Sequence, residues 1–256
     1  FIEGSDIDWL VIGVLKESNI RTVVLQWGIT WEPSYYDSLH DKNTVIKKIK
    51  SIIHKIFKIL LGLNYPTMKY LGDGQADYLL TMGDFWTNQF LKYHDKKDKF
   101  ISVGNSRFLD LRNLKDYTDK KDILFITGAG TSLYGYGSAK HLEDIKNVYE
   151  TYTQANVPNI LIHKVHPRDK FTSQIAKLSI NYENIKVEVS KSTTELLKTT
   201  LVTIIIRSTV GLEALIAGSK LLVYNNGSQS IGFNYAKYGL SLITHLRAHE
   251  TVLDLV

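Results

Sequence analysis

Two short polar clusters carry the residue types best suited to binding an anion. One is His-Pro-Arg at 166–168, after an apolar run at 159–165, and the other is Arg-Ser-Thr at 207–209, after an apolar run at 201–206. In an open parallel α/β sheet, ligands bind just beyond the carboxyl ends of the strands. Both clusters fall where such ends are expected. Together they predict a diphosphate or nucleotide site.

The first cluster favours contact with phosphate. Pro167 restricts the backbone and biases His166 towards an extended conformation, so the imidazole is expected to project from the strand end. His166 can then donate to a phosphate or stabilise a departing diphosphate, and Arg168 can pair with it bidentately. The alternative is a His166 that only caps a turn. His163, inside the strand, is predicted to be a packed or an edge residue.

The second cluster supplies hydroxyl groups. Ser208 and Thr209 precede a predicted helix from Val210 to Ala217, whose free N–H groups and positive dipole end would face an anion. Gly211 belongs to the same helix start. Glu213, one turn further on, would be unfavourable beside phosphate and is predicted to accept hydrogen bonds from ribose hydroxyls. The alternative is a capped helix with Ser208 as N-cap and Glu213 pointing to solvent.

A glycine-rich segment follows the predicted strand at 123–127. Gly128, Gly130 and Thr131 form a candidate ligand-facing loop, in which backbone N–H groups could approach a phosphate. The loop does not match the dinucleotide pattern G-x-G-x-x-G, because Leu133 stands where the third glycine is required. A phosphate-binding loop of the GxxxxGK[ST] type is also excluded, and a plain turn is the alternative.

The composition limits the classes of protein to which this chain can belong. The chain has 256 residues with 44% hydrophobic residues, a net charge of +5 and no cysteine. It is long enough for one large or two smaller domains. Zero cysteines exclude disulfides, thiolate zinc sites and cysteine nucleophiles. The mild basic excess suits phosphate-bearing ligands, and it is too small to indicate nucleic-acid binding. No apolar run is long enough to span a bilayer. We predict a cytoplasmic protein that requires neither a metal nor another cofactor.

Alternating strands and helices predict an α/β fold with parallel sheets. We expect two Rossmann-like domains, at 1–118 and 119–256, with the second carrying the nucleotide site. The segment 107–121 is the most linker-like, and 220–224 is the last clear strand. The first domain begins in the middle of the alternating pattern, so we expect it to be incomplete at its start.

A long amphipathic helix is predicted at 44–63. Apolar residues recur there with helical spacing, and lysines occupy much of the remaining surface. An ordinary surface helix with a solvated basic face is one interpretation. The other is peripheral contact with the inner face of the cell membrane, close to a lipid-linked acceptor.

Carboxylates of the first half are candidates for a general base. A hydroxyl acceptor must lose its proton, and a carboxylate can remove it. The sequence leaves Glu32, Asp73, Asp77 and Asp84 open for this role, and an ordinary surface position is the alternative for each. Asp84 is taken as the candidate catalytic base.

Several of these segments, taken together, resemble one group of enzymes. They are Gln26-Trp27-Gly28, Gly83-Asp84, Val103-Gly104-Asn105-Ser106-Arg107-Phe108-Leu109-Asp110, His166-Pro167, and Ser208-Thr209-Val210-Gly211-Leu212-Glu213-Ala214-Leu215 with Gly218. The pattern is similar to bacterial surface-polysaccharide glycosyltransferases (capsule and lipopolysaccharide) of the two-Rossmann GT-B architecture. Related enzymes are UDP-N-acetylglucosamine 2-epimerases and CDP-glycerol glycerophosphotransferases.

The resemblance implies two domains facing a cleft and a donor nucleotide on the second domain. His166, Ser208 and Thr209 would contact its phosphates, and Glu213 would hold its ribose. The implied function is transfer of a sugar from a UDP-, CMP- or CDP-linked donor to a surface glycan or lipid-linked glycan. One departure is Trp27, because members of the group commonly have histidine there. A 2-epimerase, a CDP-glycerol-type phosphotransferase and a non-catalytic glycan-binding domain remain alternatives.

Overall fold

A computed structural model describes the chain over most of its length. The described residues are 6–26, 52, 56, 76–92, 94, 96–115, 119–128, 138–206, 208–224, 235 and 242–244. They divide between two compact units, Phe1–Ser106 and Arg107–Val256, called unit 1 and unit 2 below. The domain boundary predicted at 118/119 remains a prediction.

Unit 1 contains a parallel sheet in the order β1-β2-β3. Its elements are helix α1 (Asp6–Glu17), β1 (Val23–Leu25), β2 (Tyr78–Thr81), α2 (Asp84–Phe90), a 3-10 helix (Lys97–Lys99) and β3 (Phe100–Ser102). Val24 and Leu79 are fully buried in this sheet. The sequence segments 21–26, 76–84 and 100–105 each contain one of these strands, and each strand is shorter than its segment.

Unit 2 contains a larger parallel sheet. Its elements are α3 (Ser106–Arg112, whose first residue lies in unit 1), β4 (Asp122–Thr127), α4 (Ser138–Gln154), β5 (Leu161–Lys164), α5 (Thr172–Ser179), β6 (Ile185–Glu188), α6 (Thr193–Leu197), β7 (Thr200–Ile206), α7 (Val210–Ile216), β8 (Lys220–Tyr224) and β9 (Leu242–Thr244). The sheet order is β6-β5-β4-β7-β8-β9. This is the common order of doubly wound nucleotide-binding sheets, in which the chain changes direction between the first and fourth strands.

The core of unit 2 explains why its strands are so apolar. β4 and β7 lie in the middle of the sheet, and Leu124, Phe125 and Ile205 are at most 1% exposed. Helices on the sheet faces bury these strands on both sides, so their sequences read as continuous hydrophobic runs. Tyr149 and Tyr152 of α4 are buried against the sheet. This packing holds the strands in place within the sheet.

Two predictions about unit 2 were wrong. The segment predicted as a linker begins with helix α3, and Leu111 and Leu114 in and after that helix are buried. Leu109, Asp110 and Asn113 are exposed, so this stretch has one packed side and one solvated side. The strand at 220–224 is also not the last one, because β9 pairs with β8 in parallel.

The long helix predicted at 44–63 falls almost entirely outside the described residues. Ile52 and Ile56, its two described positions, are helical and are 56% and 51% exposed. The segment 29–42, whose aromatic and polar residues predict a loop, also lies outside the described residues. No helix in the described part of the chain is long and apolar enough to cross a membrane. Peripheral membrane contact stays a prediction.

Candidate functional site

The three predicted strand-end segments of unit 2 follow neighbouring strands. Gly128 follows β4, the His-Pro-Arg cluster follows β5, and Ser208 comes two residues after β7. β4 pairs with both β5 and β7, and all three run in parallel, so these segments share one edge of the sheet. Strands that flank a common neighbour are about 10 Å apart. The fold therefore brings together segments that are 38 or more residues apart in sequence.

β4 and β7 also flank the point at which the chain changes direction across the sheet. In doubly wound folds this switch point opens a crevice at the carboxyl ends of the strands. Gly128 lies on one side of it, donating from its N to the oxygen of Ile206 at 3.4 Å. Gly130, Thr131 and Arg207 lie outside the described residues, and their part in the site stays a prediction.

The turn that contains His166 holds its neutral ring in one tautomer. The N–H of Arg168 donates to His166 Nδ1 at 3.0 Å, and the N–H of Asp169 donates to the oxygen of His166 at 2.9 Å. Because Nδ1 accepts a hydrogen bond, the neutral ring carries its proton on Nε2. Partial burial lowers the pKa of His166, and the charge of Arg168 lowers it further. His166 therefore presents Nε2–H as a donor, with the exposed Arg168 beside it.

The start of helix α7 differs from the prediction. The N–H of Val210 donates to Ser208 Oγ at 3.2 Å, and the N–H groups of Gly211 and Leu212 donate to backbone oxygens of Ser208 and Thr209. Residue 209, and not Ser208, is the N-cap, and its side chain makes no capping hydrogen bond. The expected free N–H groups are therefore engaged locally. The hydroxyls of Ser208 and Thr209 remain the candidate donors of this segment.

Gly211 is required by packing. An added Cβ would lie 2.7 Å from Ile205 Cδ1 and 2.8 Å from the Tyr235 ring. Tyr235 is buried, and its hydroxyl donates to the oxygen of Ser208 at 3.1 Å. Tyr235 thus supports the turn before α7, and Gly211 leaves room for its ring. A role of Gly211 in ligand binding stays a prediction.

One interpretation of the sequence had Glu213 pointing to solvent, but in the structure it does not. Its carboxylate is only 12% exposed and forms an ion pair with Arg107, with Arg107 Nη2 at 3.0 Å from Glu213 Oε2. Among the described residues, Oε2 accepts no hydrogen bond of good geometry. Burial raises the pKa of Glu213, while the charge of Arg107 opposes that rise. A buried acceptor of this kind suits a ligand with hydroxyl donors.

Replacing Glu213 with Gln should change how stability depends on pH. The pKa of Glu213 in the folded protein lies above its ordinary value of 4.5. The folded state therefore binds this proton more tightly than the unfolded state, and the resulting stability is lost as pH rises through the raised pKa. We expect the unfolding free energy of the parent, relative to Glu213→Gln, to fall as the pH rises from 4.5 towards neutrality. Urea titrations across that range measure it, and a constant difference would contradict it.

A buried polar network lies behind the strand ends, and few features of the sequence predicted it. His163 is fully buried, as predicted, with Nε2 3.1 Å from Thr127 Oγ1 and Nδ1 2.5 Å from the Tyr149 hydroxyl. Burial lowers the pKa of His163 to about 3, so the ring is neutral. His141 and Asp169 form a second buried pair at 2.9 Å. Helical spacing on α4 was the one signal that could have linked positions 141 and 149.

Unit 1 contains the candidate base Asp84, which is exposed at the first turn of α2. Asp77 is a poor candidate, because its Oδ2 accepts hydrogen bonds from the N–H and hydroxyl of Thr22 at 2.8 and 3.1 Å. Those bonds lower its pKa and commit it to joining the ends of β1 and β2. Glu32 and Asp73 lie outside the described residues.

Gln26, the first residue of the Gln-Trp-Gly segment, has a structural role. Gln26 is buried, and its Oε1 accepts a hydrogen bond from the N–H of Met82 at 3.0 Å. This bond joins the carboxyl ends of β1 and β2, just before Gly83, whose φ of 142° favours glycine. Trp27 and Gly28 lie outside the described residues. Within the described part of the chain, no three His, Asp or Glu side chains are grouped as metal ligands would be.

Comparison with known proteins identifies the fold. No family model matches the sequence, and no curated protein does. A UDP-GlcNAc 2-epimerase from Methanocaldococcus jannaschii, solved with UDP-GlcNAc and UDP, is similar in structure. Its TM-score is 0.53 at 16% identity, over 92% of this chain and 68% of that one. The glycosyltransferase of kitacinnamycin gives a TM-score of 0.56 at 13% identity, over 97% and 63%.

A third similar structure is MnaA from S. aureus with UDP, at a TM-score of 0.53 and 12% identity, over 88% of this chain and 56% of that one. The chain thus spans 56% to 68% of the length of these three structures. The predicted GT-B-type α/β fold with two parallel sheets is confirmed. The resemblance to sugar transferases and 2-epimerases holds at the level of the fold.

Proposed function

We propose that this chain binds a nucleotide-activated sugar on unit 2 and belongs to an enzyme that transfers the sugar to a glycan or lipid-linked glycan. The observation that carries the proposal is His166, whose Nδ1 accepts from Arg168 so that Nε2–H is the donor at the carboxyl edge of the sheet. UDP-, CDP- and CMP-linked donors all carry a phosphate leaving group that such a donor would stabilise. Two of the similar structures were solved with UDP, which supports a uridine donor.

In this proposal, the acceptor hydroxyl oxygen forms a bond to the anomeric carbon while the bond from that carbon to the phosphate oxygen breaks. Negative charge grows on the departing phosphate, and His166 Nε2–H and Arg168 stabilise it as donors placed in advance. The Ser208 and Thr209 hydroxyls add further donors. Glu213 accepts from the ribose hydroxyls. The acceptor proton goes to a carboxylate, for which Asp84 is the candidate. No metal or other cofactor is proposed.

Epimerisation of the donor sugar is the second candidate, and the similarity to UDP-GlcNAc 2-epimerases favours it. Both reactions use the same nucleotide site, but they differ in products. An epimerase converts UDP-GlcNAc without any acceptor, whereas a transferase releases UDP only when an acceptor is present.

The test is incubation with UDP-GlcNAc, UDP-glucose and CMP-sialic acid, with and without a mixture of oligosaccharide acceptors. Products are resolved by chromatography and NMR. Acceptor-dependent nucleotide release that is lost in His166→Ala supports transfer. Conversion of UDP-GlcNAc alone supports epimerisation. Nucleotide release that is unchanged in His166→Ala would contradict the assigned role of His166.

The proposal extends to location. A cytoplasmic enzyme with peripheral contact to the inner face of the membrane, through 44–63, would reach a lipid-linked acceptor. Exposed Ile52 and Ile56 support this, since apolar helical positions that face outward suit a membrane interface. Binding to vesicles that contain anionic lipid, compared between the parent and Ile52→Glu, tests it.

A further inference from the structure

A second buried pair, His141 and Asp169, joins helix α4 to the turn that carries His166. His141 of α4 has Nε2 at 2.9 Å from Asp169 Oδ2, and the two side chains are 4% and 0% exposed. Burial raises the pKa of Asp169, but hydrogen bonds from His141 and the N–H of Phe171 outweigh it and leave the pKa lowered. Asp169 is therefore an ionised, fully enclosed carboxylate. A buried charge is unfavourable unless it is paired, and His141 is the hydrogen-bond partner of this carboxylate.

Asp169 organises the turn that carries His166. Its Oδ1 accepts from the N–H of Phe171 at 2.9 Å, and its backbone oxygen accepts from Thr172 Oγ1 at 2.8 Å. Its own N–H donates to the oxygen of His166 at 2.9 Å. The turn is thus closed from both sides by one residue, whose side chain is fixed to helix α4 through His141.

The ring of His166 depends on that turn. The hydrogen bond to Nδ1 comes from the backbone N–H of Arg168, and that N–H points at the ring only while residues 166–169 keep this conformation. An exposed histidine would otherwise exchange between its two neutral tautomers. No hydrogen bond joins His141 or Asp169 to Nδ1 or Nε2, so their control of the tautomer passes through the backbone. The charge of Asp169 also acts on the ring through space, where it opposes the lowering of the pKa of His166.

We propose that His141 and Asp169 are positioning residues for His166: by fixing the 166–169 turn on α4 they hold Nε2–H ready for the phosphate of a nucleoside diphosphate. This inference rests on the proposed function for its ligand. The control of the His166 tautomer by His141 and Asp169 does not depend on the proposed function. The two parts of the proposal can therefore be tested apart.

The first measurement is NMR of the histidine ring nitrogens. In the parent, His166 should show the Nε2–H tautomer. His141→Leu removes the anchor, and Asp169→Asn, which keeps the shape and weakens the pairing, serves if His141→Leu does not fold. Either variant should give His166 a mixed tautomer population. An unchanged His166 tautomer in a folded variant would overturn the proposal, whether or not a nucleotide binds.

The second measurement is a double-mutant cycle on nucleotide affinity, with UDP and uridine as probes. We expect His141→Leu to weaken UDP binding about tenfold and uridine binding little, since a charge-assisted hydrogen bond to phosphate is lost. In a His166→Ala background the same change should have no further effect on UDP. An equal loss in both backgrounds would mean that His141 has a structural role alone.

Tyr152→Phe is the matched control. Tyr152 lies on the same helix and is buried, but its hydroxyl donates to the oxygen of Asn159, before the amino end of β5. It should lower stability without changing the His166 tautomer or the ratio of UDP to uridine affinity. If this control shifts that ratio as His141→Leu does, the effect is general to α4 and the proposal fails. Failure of the parent to bind any of UDP, CDP and CMP would reject the proposed function, and the NMR result would still decide the positioning role.

Discussion

Acidification from pH 7 to about pH 5 should lower the unfolding free energy by about 2 kcal/mol through His163 alone. The ring is fully buried between Phe125 and the hydroxyls of Thr127 and Tyr149. Burial holds its pKa at about 3, against an ordinary value of 6.5. Protonation would place a charge in the core, where nearby His141 opposes it and Asp169 favours it.

The difference in proton binding between the unfolded and folded states determines the direction in which stability changes with pH. Between pH 6.5 and pH 3 the unfolded chain binds a proton at residue 163 and the folded protein does not. Stability therefore rises with pH across this window and is lost as the pH falls.

Urea titrations at several pH values measure the effect, with His163→Gln as the control. The variant should be less stable at neutral pH, because it loses packing and hydrogen bonds, yet its stability should depend less on pH. The carboxylates titrate in both proteins, so the difference between them isolates His163. Parallel pH profiles would contradict the neutral, buried assignment of this ring.

Replacing Gly211 with Ala should destabilise the protein by about 1–3 kcal/mol. In an ordinary helical position the same change stabilises by about 1 kcal/mol, because Ala has the higher helix propensity. Here the added methyl group would meet Ile205 Cδ1 at 2.7 Å and the Tyr235 ring at 2.8 Å. The isoleucine can move aside more readily than the buried ring. The sign of the change therefore reports on the Tyr235 contact.

Gly104→Ala is the comparison. Its Cβ would meet nothing within 4 Å, but its φ of +77° strains any other residue. It should cost about 1 kcal/mol by strain alone. Chemical denaturation of both variants, together with Gly211→Ala in a Tyr235→Leu background, separates crowding from strain. If Gly211→Ala is as stable as the parent or more so, Tyr235 does not lie where the structure has it.

Much of the fold could be predicted from local patterns. β-branched apolar runs indicated the strands of unit 2, and their alternation with helical segments indicated parallel sheets. The capping box of α6, in which the Ser192 and Glu195 side chains each accept from the other residue's backbone N–H, is a local pattern of the same kind. Residues within a few positions of each other determine such features, so sequence reasoning finds them.

The missed features depend on partners distant in sequence. Helix α3 looked like a linker, because the apolar surface that covers Leu111 is formed by other segments. Glu213 could be assigned to ribose or to solvent, but its ion pair with Arg107 joins positions more than 100 apart. The His141–Asp169 pair likewise forms only after α4 packs beside β5. Spacing along the chain carries no sign of such contacts.

We propose that unit 2 binds a nucleoside phosphate through His166. Isothermal titration calorimetry of the whole chain with UDP, CDP and CMP tests it most directly, in the parent and in His166→Ala. We predict that at least one of the three binds, and that His166→Ala weakens that binding about 10- to 100-fold while the folded structure is kept. Binding of none of them, or equal affinity in the parent and in His166→Ala, would contradict the claim.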